Sequence, residues 1–418
     1  MERIAAVVIG AGQAGLSASH ELAERGVEHV VLERGVLGDT WRTRRWRSFH
    51  IVSPNSLNLL PGYEYDGPEP DAFLDTAGIL AYLEGYAASF GAPIRTASPV
   101  SGVRPAEGGG YVVQTPDAVL HTDHVIVATG AFGAAHTPAL AARLPAAITS
   151  LHTDDYWEPE DLPPGGVLVV GSGQSGLQIA YELANAGREV TVAIGKHGWV
   201  PRRVYGRDQM QWRWDNRDYH SVVADPENPK ADYPFTFLAR WGASDFNVRS
   251  VRRAGARLAG HAVAVDGTRV TFAGDLEPLL RSGDAVAREF VLRIRDFARG
   301  RGEHVPEPEL ESHWRDDEIP DAPESIDLVA SGIRTVIWST GYRQDFSWIE
   351  VPGVLAANGA PYQRQGVSPV TGIYFVGLHR MWEAGSGTLL GCGWAATNVA
   401  EHVARRLSDP VAASEVVK

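Results

Sequence analysis

A short glycine pattern occurs twice in this chain, and it limits the possible folds more than any other feature. The pattern places Gly10, Gly12 and Gly15 in its first copy and Gly171, Gly173 and Gly176 in its second, 161 residues later. An apolar run precedes each copy, and a helical pattern that ends at a glycine follows it, with a second apolar run beyond. This order predicts a strand–turn–helix–strand unit that the chain contains twice.

Each glycine of such a unit has a physical task. The first permits a tight turn, the second lets the backbone approach a pyrophosphate, and the third lets the helix pack closely on the strand. The free N–H groups and the positive dipole end of the helix then face the phosphates. Because the context is right in both copies, the sequence predicts an α/β fold with two Rossmann-like dinucleotide-binding domains.

The two copies differ at the end of their second strand. The first carries Glu33, placed to accept a hydrogen bond from a ribose 2′-hydroxyl, whereas the equivalent position in the second is Ile194. Lys196, Arg202 and Arg203 follow, and such cations would neutralise a 2′-phosphate. We therefore expect NADP in the second unit and a dinucleotide with a free 2′-hydroxyl in the first. Alternatively, the two arginines form a solvated loop face.

Composition excludes several classes of protein. The only cysteine, Cys392, cannot form the redox pair of the dithiol flavin reductases, and we expect it to be a small packing residue. The net charge of −13 argues against nucleic-acid binding, and the 14 histidines lack paired ligand spacing, so we expect no metal site. No stretch approaches the roughly 20 apolar residues of a membrane span, and no secretory signal is indicated, so we expect a cytoplasmic protein.

Further short motifs occur between and after the two glycine patterns. They are Gly38 to Arg42 (G-D-T-W-R), Ser53 to Asn55, Ala128 to Gly130 (A-T-G), Ser339 to Tyr342 (S-T-G-Y), and the glycine-rich stretches Gly372 to Gly377 and Gly385 to Gly387. Together with the two glycine patterns, Gly10 to Gly15 and Gly171 to Gly176, which we call the first and second cradles, they resemble the class B flavoprotein monooxygenases over essentially the whole chain. In that family the first cradle binds FAD and the second binds NADPH, in agreement with the difference between Glu33 and Ile194.

The resemblance implies an FAD domain interrupted by an NADPH domain. The expected boundaries are 1–151 for the first FAD segment, 152–327 for the NADPH domain and a substrate-lining insertion, and 328–418 for the second FAD segment. The return through residues 328–340 should complete the FAD domain. His152 and Tyr156 match the second half of the family's domain-linking sequence, whereas Ala146 and Ile148 replace its Phe and Gly.

The expected site residues follow from the motifs and the resemblance. For FAD they are Gly10, Gly12, Gln13, Ala14, Gly15, Glu33, Thr40, Trp41, Arg42, Val100, Thr129, Gly130, Gly377, Ser386 and Gly387. For NADPH they are Gly171, Gly173, Gln174, Ser175, Gly176, Lys196, Arg202, Arg203, Thr340 and Gly341. Asn55 is the candidate catalytic residue, to orient the nicotinamide or the peroxide, although it could instead be a turn residue.

The implied reaction begins with hydride transfer from NADPH to flavin. O₂ then adds to the reduced flavin, and the resulting C4a-hydroperoxide passes one oxygen atom to a small-molecule substrate. Tyr156 favours oxygenation at nitrogen or sulfur; Baeyer–Villiger oxygenation of a ketone is the alternative within the class. An NAD(P)H oxidase or quinone reductase without oxygen insertion, and a flavin-binding redox sensor, are alternatives outside it. A homodimer is also compatible with the sequence.

Three further helices are expected, over 71–90, 280–300 and about 395–407. An aromatic-rich stretch, which contains Trp212, Trp214, Tyr219, Phe235, Phe237 and Trp241, is either a satellite core or a wall of the substrate pocket.

Overall fold

The computed structural model describes residues 2–196, 198–217, 246–308, 321–378, 381 and 385–408. Of the aromatic-rich stretch, Tyr219, Phe235, Phe237 and Trp241 lie outside the described residues. The same holds for 409–418.

The elements alternate between strands and helices along the chain. The first part contains β1 (Glu2–Ile9), α1 (Gln13–Glu24), β2 (His29–Leu32), α2 (Asp39–Thr43), β3 (Leu59–Leu60), β4 (Tyr63–Glu64), α3 (Thr76–Ser89), β5 (Ile94–Arg95), β6 (Gly102–Pro105), β7 (Tyr111–Gln114), β8 (Val119–Val127) and β9 (Ala134–Ala135). The middle part contains β10 (Thr149–His152), β11 (Gly166–Val170), α4 (Gln174–Asn185), β12 (Val190–Ala193), β13 (Arg203–Val204), β14 (Arg207–Asp208), α5 (Gln209–Asp215), α6 (Val248–Arg253), β15 (Arg257–Ala259), β16 (Ala262–Asp266), β17 (Arg269–Phe272), α7 (Leu276–Gly300), β18 (Ser325–Asp327) and β19 (Ile333–Trp338). The last part contains β20 (Tyr342–Arg343), β21 (Ile373–Phe375) and α8 (Cys392–Ser408).

Two sheets with parallel central strands organise these elements, as the duplicated pattern predicts; in the first sheet, β7 and β6 are added antiparallel at one edge. The first has the strand order β5-β2-β1-β8-β7-β6, with β21 also paired to β8. The second has the order β10-β19-β11-β12-β15 and is parallel throughout. Each glycine cradle follows a central strand of its sheet, β1 or β11, and leads into α1 or α4. The expected fold class is confirmed.

One strand lies in a different sheet from the one we expected. β19 pairs in parallel with β10 and β11, so this segment completes the second sheet rather than the FAD domain. The reason is that its buried apolar residues, from Ile333 to Trp338, pack with the strands of the second unit. The chain passes from the first sheet to the second after β8 and returns after β19. These two crossings, which contain β9 and β20, lie side by side because β9 pairs antiparallel with β20.

Apolar burial holds α1 and α8 on the first sheet. Leu16 and Leu22 of α1 and Val399 of α8 are almost fully buried in one core cluster. Burial of a leucine contributes roughly 1.5–3 kcal/mol to folding, so these contacts fix the helix that carries the first cradle.

The other expected helices form with modified ends. The helix expected over 71–90 is α3, which begins at Thr76 because the Asp75 side chain accepts the N–H of Gly78 as an N-cap. The helix expected over 280–300 begins earlier, at Leu276, and the C-terminal helix begins at Cys392. Trp212 lies in a satellite core with Phe290 and Ile294. None of the described helices is long and apolar enough to cross a membrane.

Candidate functional site: two dinucleotide cradles

The first cradle has the close packing that its three glycines predict. Gly10 adopts φ +106°, and a β-carbon there would lie 2.7 Å from the carbonyl oxygen of Ala128. A β-carbon on Gly15 would lie 1.8 Å from the carbonyl oxygen of Gly10. At Gly12 a β-carbon would meet no atom within 4 Å, so the space beside this residue is open. The cradle therefore fits a pyrophosphate, which needs an approach to bare backbone at its second glycine.

The second cradle repeats this geometry. Gly171 adopts φ +112°, and its β-carbon would lie 2.3 Å from the carbonyl oxygen of Ser339. A β-carbon on Gly176 would lie 2.2 Å from the Gly171 carbonyl oxygen, whereas one on Gly173 would meet nothing within 4 Å. Helices α1 and α4 both begin without a side-chain cap, which leaves their first N–H groups available to phosphates.

The two cradles also share their supporting strand ends. Ala128 and Ser339 hold equivalent places against the first glycines, and each is followed by a threonine and a glycine, in which Gly130 and Gly341 are left-handed. The S-T-G stretch is thus the structural counterpart of A-T-G, at the end of β19 rather than in the FAD domain. Thr340 donates its hydroxyl hydrogen to the carbonyl of His136 in the opposite crossing.

A cleft of about 390 Å³ extends from the first cradle. Of the expected FAD residues, those that line it are Gly10, Gly12, Gln13, Ala14, Glu33, Thr40, Trp41, Val100, Thr129, Gly130, Gly377 and Gly387. Gly15 packs behind the turn, and Ser386 is buried outside the lining. Gly377 is left-handed and packs against α1, where a β-carbon would lie 2.2 Å from the Ala14 β-carbon.

Glu33 lies at the cleft with its carboxylate held by backbone. One oxygen accepts the N–H of Ala11 at 2.8 Å, and the other accepts the N–H of Gly35 at 3.1 Å. A carboxylate oxygen can accept more than one hydrogen bond, so both oxygens retain capacity for ribose hydroxyls. Ile194, the corresponding residue of the second unit, is fully buried and offers no acceptor from its side chain.

Two of the expected cofactor arginines make other contacts. Arg42 does not line the cleft: its guanidinium donates to the Glu84 carboxylate and to the carbonyl of Leu37. Arg202 is buried, pairs with Asp208 at 2.5 Å and stacks over the Phe73 ring at 4.4 Å. Arg202 is therefore committed to an internal ion pair, whereas Lys196 and Arg203 are exposed after the second cradle.

Several cleft residues were not expected from the sequence. They are Arg34, Arg45, Ser98, Pro99, Phe132, Gln344, Asp345, Phe346 and Trp348. The group from 344 to 348 follows the return crossing, and the only signal for it in the sequence is its position shortly after S-T-G-Y. Arg45 lies in an arginine-rich run in which the sequence gives no reason to prefer one residue over another.

Asn55 is buried in a short turn, and it is not among the residues that line the cleft. Its Nδ2 donates to the carbonyl of Glu69 at 2.9 Å, while its buried Oδ1 has no hydrogen-bond partner among the described residues. Asn58, three residues on, accepts from the Ser53 hydroxyl, and in the part of the chain that the structure describes its own Nδ2 meets no acceptor. Asn55 is therefore a turn residue, and its side-chain oxygen still has the capacity to accept a hydrogen bond.

His152 connects two strand ends of the second sheet, and Tyr156 is connected to the first unit through Glu182. The Nδ1 atom of His152 accepts the N–H of Asp154 at 3.2 Å, so Nε2 carries the hydrogen and donates to the carbonyl of Gly341 at 3.1 Å. The Tyr156 hydroxyl donates to Glu182 of α4 at 3.0 Å, and Glu182 also accepts from Ser48 of the first unit. Burial raises the pKa of the neighbouring Tyr342 to about 12, so that residue remains a donor to Asp154.

The comparisons with known proteins agree with this geometry. The family model of the pyridine nucleotide-disulphide oxidoreductases matches residues 7–207. An uncharacterized CzcO-like oxidoreductase of Geobacillus kaustophilus is 28% identical over 93% of this chain and 94% of its own. Indole-3-pyruvate monooxygenase YUCCA1 of rice is 31% identical, over 48% of this chain and 50% of its own. The flavin-containing monooxygenase of Stenotrophomonas maltophilia shares the fold, with a TM-score of 0.68 and 21% identity over 97% of this chain and all of that one.

The two cradles and the cleft fit two dinucleotides, and the relatives that this chain is similar to are named as oxidoreductases and monooxygenases. The chain resembles the class B flavoprotein monooxygenases, as the motifs of its sequence indicate, and the curated relatives it matches include a monooxygenase. The disulphide chemistry in the name of the matched model does not follow, because the single cysteine is buried and burial raises its pKa to about 11.

Proposed function

We propose that this enzyme uses NADPH, FAD and O₂ to place one oxygen atom on the nitrogen or sulfur of a small-molecule substrate. The observation that carries the proposal is the pair of cradles, which have equal backbone geometry but opposite groups at the second strand. Glu33 suits a free ribose 2′-hydroxyl, while Ile194 and the exposed Lys196 suit a 2′-phosphate.

We assign FAD to the cleft of the first cradle, with the diphosphate beside Gly12 and the ribose at Glu33. We assign NADPH to the second cradle, at the N-terminus of α4, with Lys196 and Arg203 as the candidate cations for its 2′-phosphate. We no longer assign Arg42 to FAD or Arg202 to NADPH, because their guanidinium groups already pair with the carboxylates of Glu84 and Asp208.

The chemistry of electron transfer and O₂ activation is supplied by the bound FAD. The protein binds, orients and shields the reacting groups. Gly12 and the first N–H groups of α1 hold the phosphates, and the Glu33 carboxylate fixes the ribose. Trp41 and Phe132 provide apolar surface along the cleft, which limits the entry of water.

Tyr156, four residues after His152, supports oxygenation at nitrogen or sulfur over ketone oxygenation. This spacing matches the heteroatom-oxygenating form of the family sequence, in which Tyr or Phe holds that place. The hydroxyl donates to Glu182, which also accepts from Ser48 of the first unit, so we assign Tyr156 to the junction of the units.

A substrate panel tests this proposal. Amines, thioethers, oximes and ketones are incubated with NADPH under ¹⁸O₂, and the products are analysed by mass spectrometry. One labelled oxygen atom in an amine, oxime or thioether product, together with substrate-stimulated NADPH consumption, is the expected result. Labelled esters from ketones alone would favour Baeyer–Villiger oxygenation instead.

The same measurement separates a reductase from an oxygenase. A quinone reductase or oxidase would consume NADPH with a quinone or with O₂ alone, and no substrate would acquire label.

We further propose a cytoplasmic enzyme that forms a homodimer; light scattering coupled to size exclusion would give twice the chain mass of 45.2 kDa.

A further inference from the structure

Arg45 is a partly buried cation that faces the cleft of the first cradle. It lines the cleft with Trp41 and Phe132, and its guanidinium carbon lies 5.2 Å from the ring centroid of each and 5.4 Å from that of Phe49. Protein surrounds the guanidinium closely, and this burial lowers the pKa of Arg45 from its ordinary value. Three aromatic faces stabilise the cation but do not neutralise it.

The described residues provide no ion-pair partner for this charge. The guanidinium donates to the carbonyl of Arg44 at 2.8 Å and interacts with the Tyr342 hydroxyl. Asp154 is nearby, but its carboxylate already accepts from Tyr342 and lies 3.7 Å from Arg44. Asp154 attracts the charge but forms no ion pair with it. A charge that is partly removed from water and lacks an ion-pair partner is costly, so a counter-charge is expected in the cleft.

Arg34, the other cation that the described residues contribute to the cleft lining, is in a different situation. Its side chain is half exposed and lies 4.0 Å from the Asp39 carboxylate. Water and a carboxylate therefore already compensate Arg34. Arg45, in contrast, needs a negative charge on the ligand that binds in the cleft.

We propose that Arg45 binds the diphosphate of FAD. The isoalloxazine ring of oxidised FAD is neutral, so in the resting enzyme the diphosphate is the only part of the cofactor with a permanent negative charge. Arg45 thus supplies the cation that the resemblance led us to expect from Arg42. It also connects the diphosphate to Tyr342 and Asp154 at the crossing between the units.

The test compares Arg45→Met and Arg45→Lys with Arg47→Met. Arg47 lies on the same segment, but its side chain is 77% exposed and pairs with Glu158, away from the cleft. Full-length protein is stripped of flavin, its fold is checked by circular dichroism, and FAD and ADP are titrated separately. ADP carries the diphosphate without the flavin ring. These readouts do not depend on oxygen transfer, so they remain valid if the proposed reaction is wrong.

Arg45→Met should weaken the binding of FAD and of ADP by the same factor, at least about tenfold, because it removes charge-assisted hydrogen bonds. Arg45→Lys should lose less affinity for both ligands, and the affinities of Arg47→Met should stay within about twofold of those of the wild type. If Arg45→Met does not fold, Arg45→Lys carries the comparison. Unchanged FAD and ADP affinities, or weaker FAD with unchanged ADP, would overturn the proposal; the latter result would place Arg45 at the ring. Weaker NADPH binding alone would overturn it as well.

Discussion

The Nε2 atom of His152 donates a hydrogen bond to the carbonyl of Gly341, 3.1 Å away and on the opposite chain crossing. His152 ends the edge strand β10, and Gly341 follows β19. The ring is buried and lies nearly perpendicular to the Tyr342 ring, at an interplanar angle of 79° and a centroid distance of 5.2 Å. This contact fixes the crossing next to the second cradle.

Replacement of His152 by Phe should destabilise the protein by about 1–3 kcal/mol, because it retains an aromatic ring but leaves the Asp154 N–H without its acceptor. Thermal and urea unfolding measure the loss. His304→Phe, at an exposed position, is the control and should change stability by less than about 0.5 kcal/mol. Equal stabilities of the two variants would contradict the stabilising role of His152 at these strand ends.

Gly12→Val should fold but bind FAD at least about tenfold more weakly, a loss of roughly 1.4 kcal/mol. Its backbone is extended, at φ −81° and ψ −177°, and the side chain would enter the open space where the phosphate is proposed. Flavin content and the unfolding temperature of the apo-protein are the measurements. Gly173→Val should retain FAD and raise the KM for NADPH.

Gly15→Ala provides the contrast for the cradle. Its β-carbon would overlap the Gly10 carbonyl, so we expect a loss of about 1–3 kcal/mol of stability, whatever the cofactor. If Gly12→Val instead loses stability as Gly15→Ala does and keeps normal FAD affinity, the space beside Gly12 does not hold the diphosphate.

Lys196→Glu should lower kcat/KM for NADPH by about tenfold or more and leave NADH nearly unchanged, because a carboxylate would repel the 2′-phosphate. Steady-state kinetics with both coenzymes check this. Arg203→Ala should act in the same direction with a smaller effect. Ile194 is unsuitable as a target, since an acid at this fully buried position would destabilise the strand end itself. Equal losses with both coenzymes would remove Lys196 from the site.

Cys392 should be inert in the folded protein. Burial raises its pKa from 9.0 to about 11, so the thiol is neutral at physiological pH, and Ellman's reagent should react only after denaturation. Because the folded-state pKa is raised, the resulting contribution to stability is complete below pH 9 and is lost as the pH rises to 11. Cys392→Ala should flatten that decline. Rapid labelling of the native protein at pH 8 would contradict this account.

The sequence was sufficient for the cradles because their geometry is local. The same few residues set the turn, the open space and the helix start, so Gly10 and Gly171 could be placed without knowledge of the rest of the chain. Glu33 was placed by its distance from the glycines for the same reason.

Tertiary contacts decided the positions that the sequence did not indicate. Helix α2 spans only Asp39–Thr43, and the Glu84 carboxylate of α3 draws Arg42 away from the cleft, while Arg45 faces it. Arg202 is buried because Asp208, across a two-residue strand pair, compensates its charge. Strand β19 was misplaced because an apolar strand suits either sheet, and only its pairing with β10 and β11 distinguishes them.

The most direct test is an anaerobic NADPH titration of the purified protein, followed by its visible spectrum. We predict a yellow protein with one FAD per chain, which is bleached by an equivalent of NADPH and requires a large excess of NADH. A colourless protein that takes up no FAD when it is supplied, or a bound flavin that NADPH does not reduce, would contradict the assignment of the two cradles.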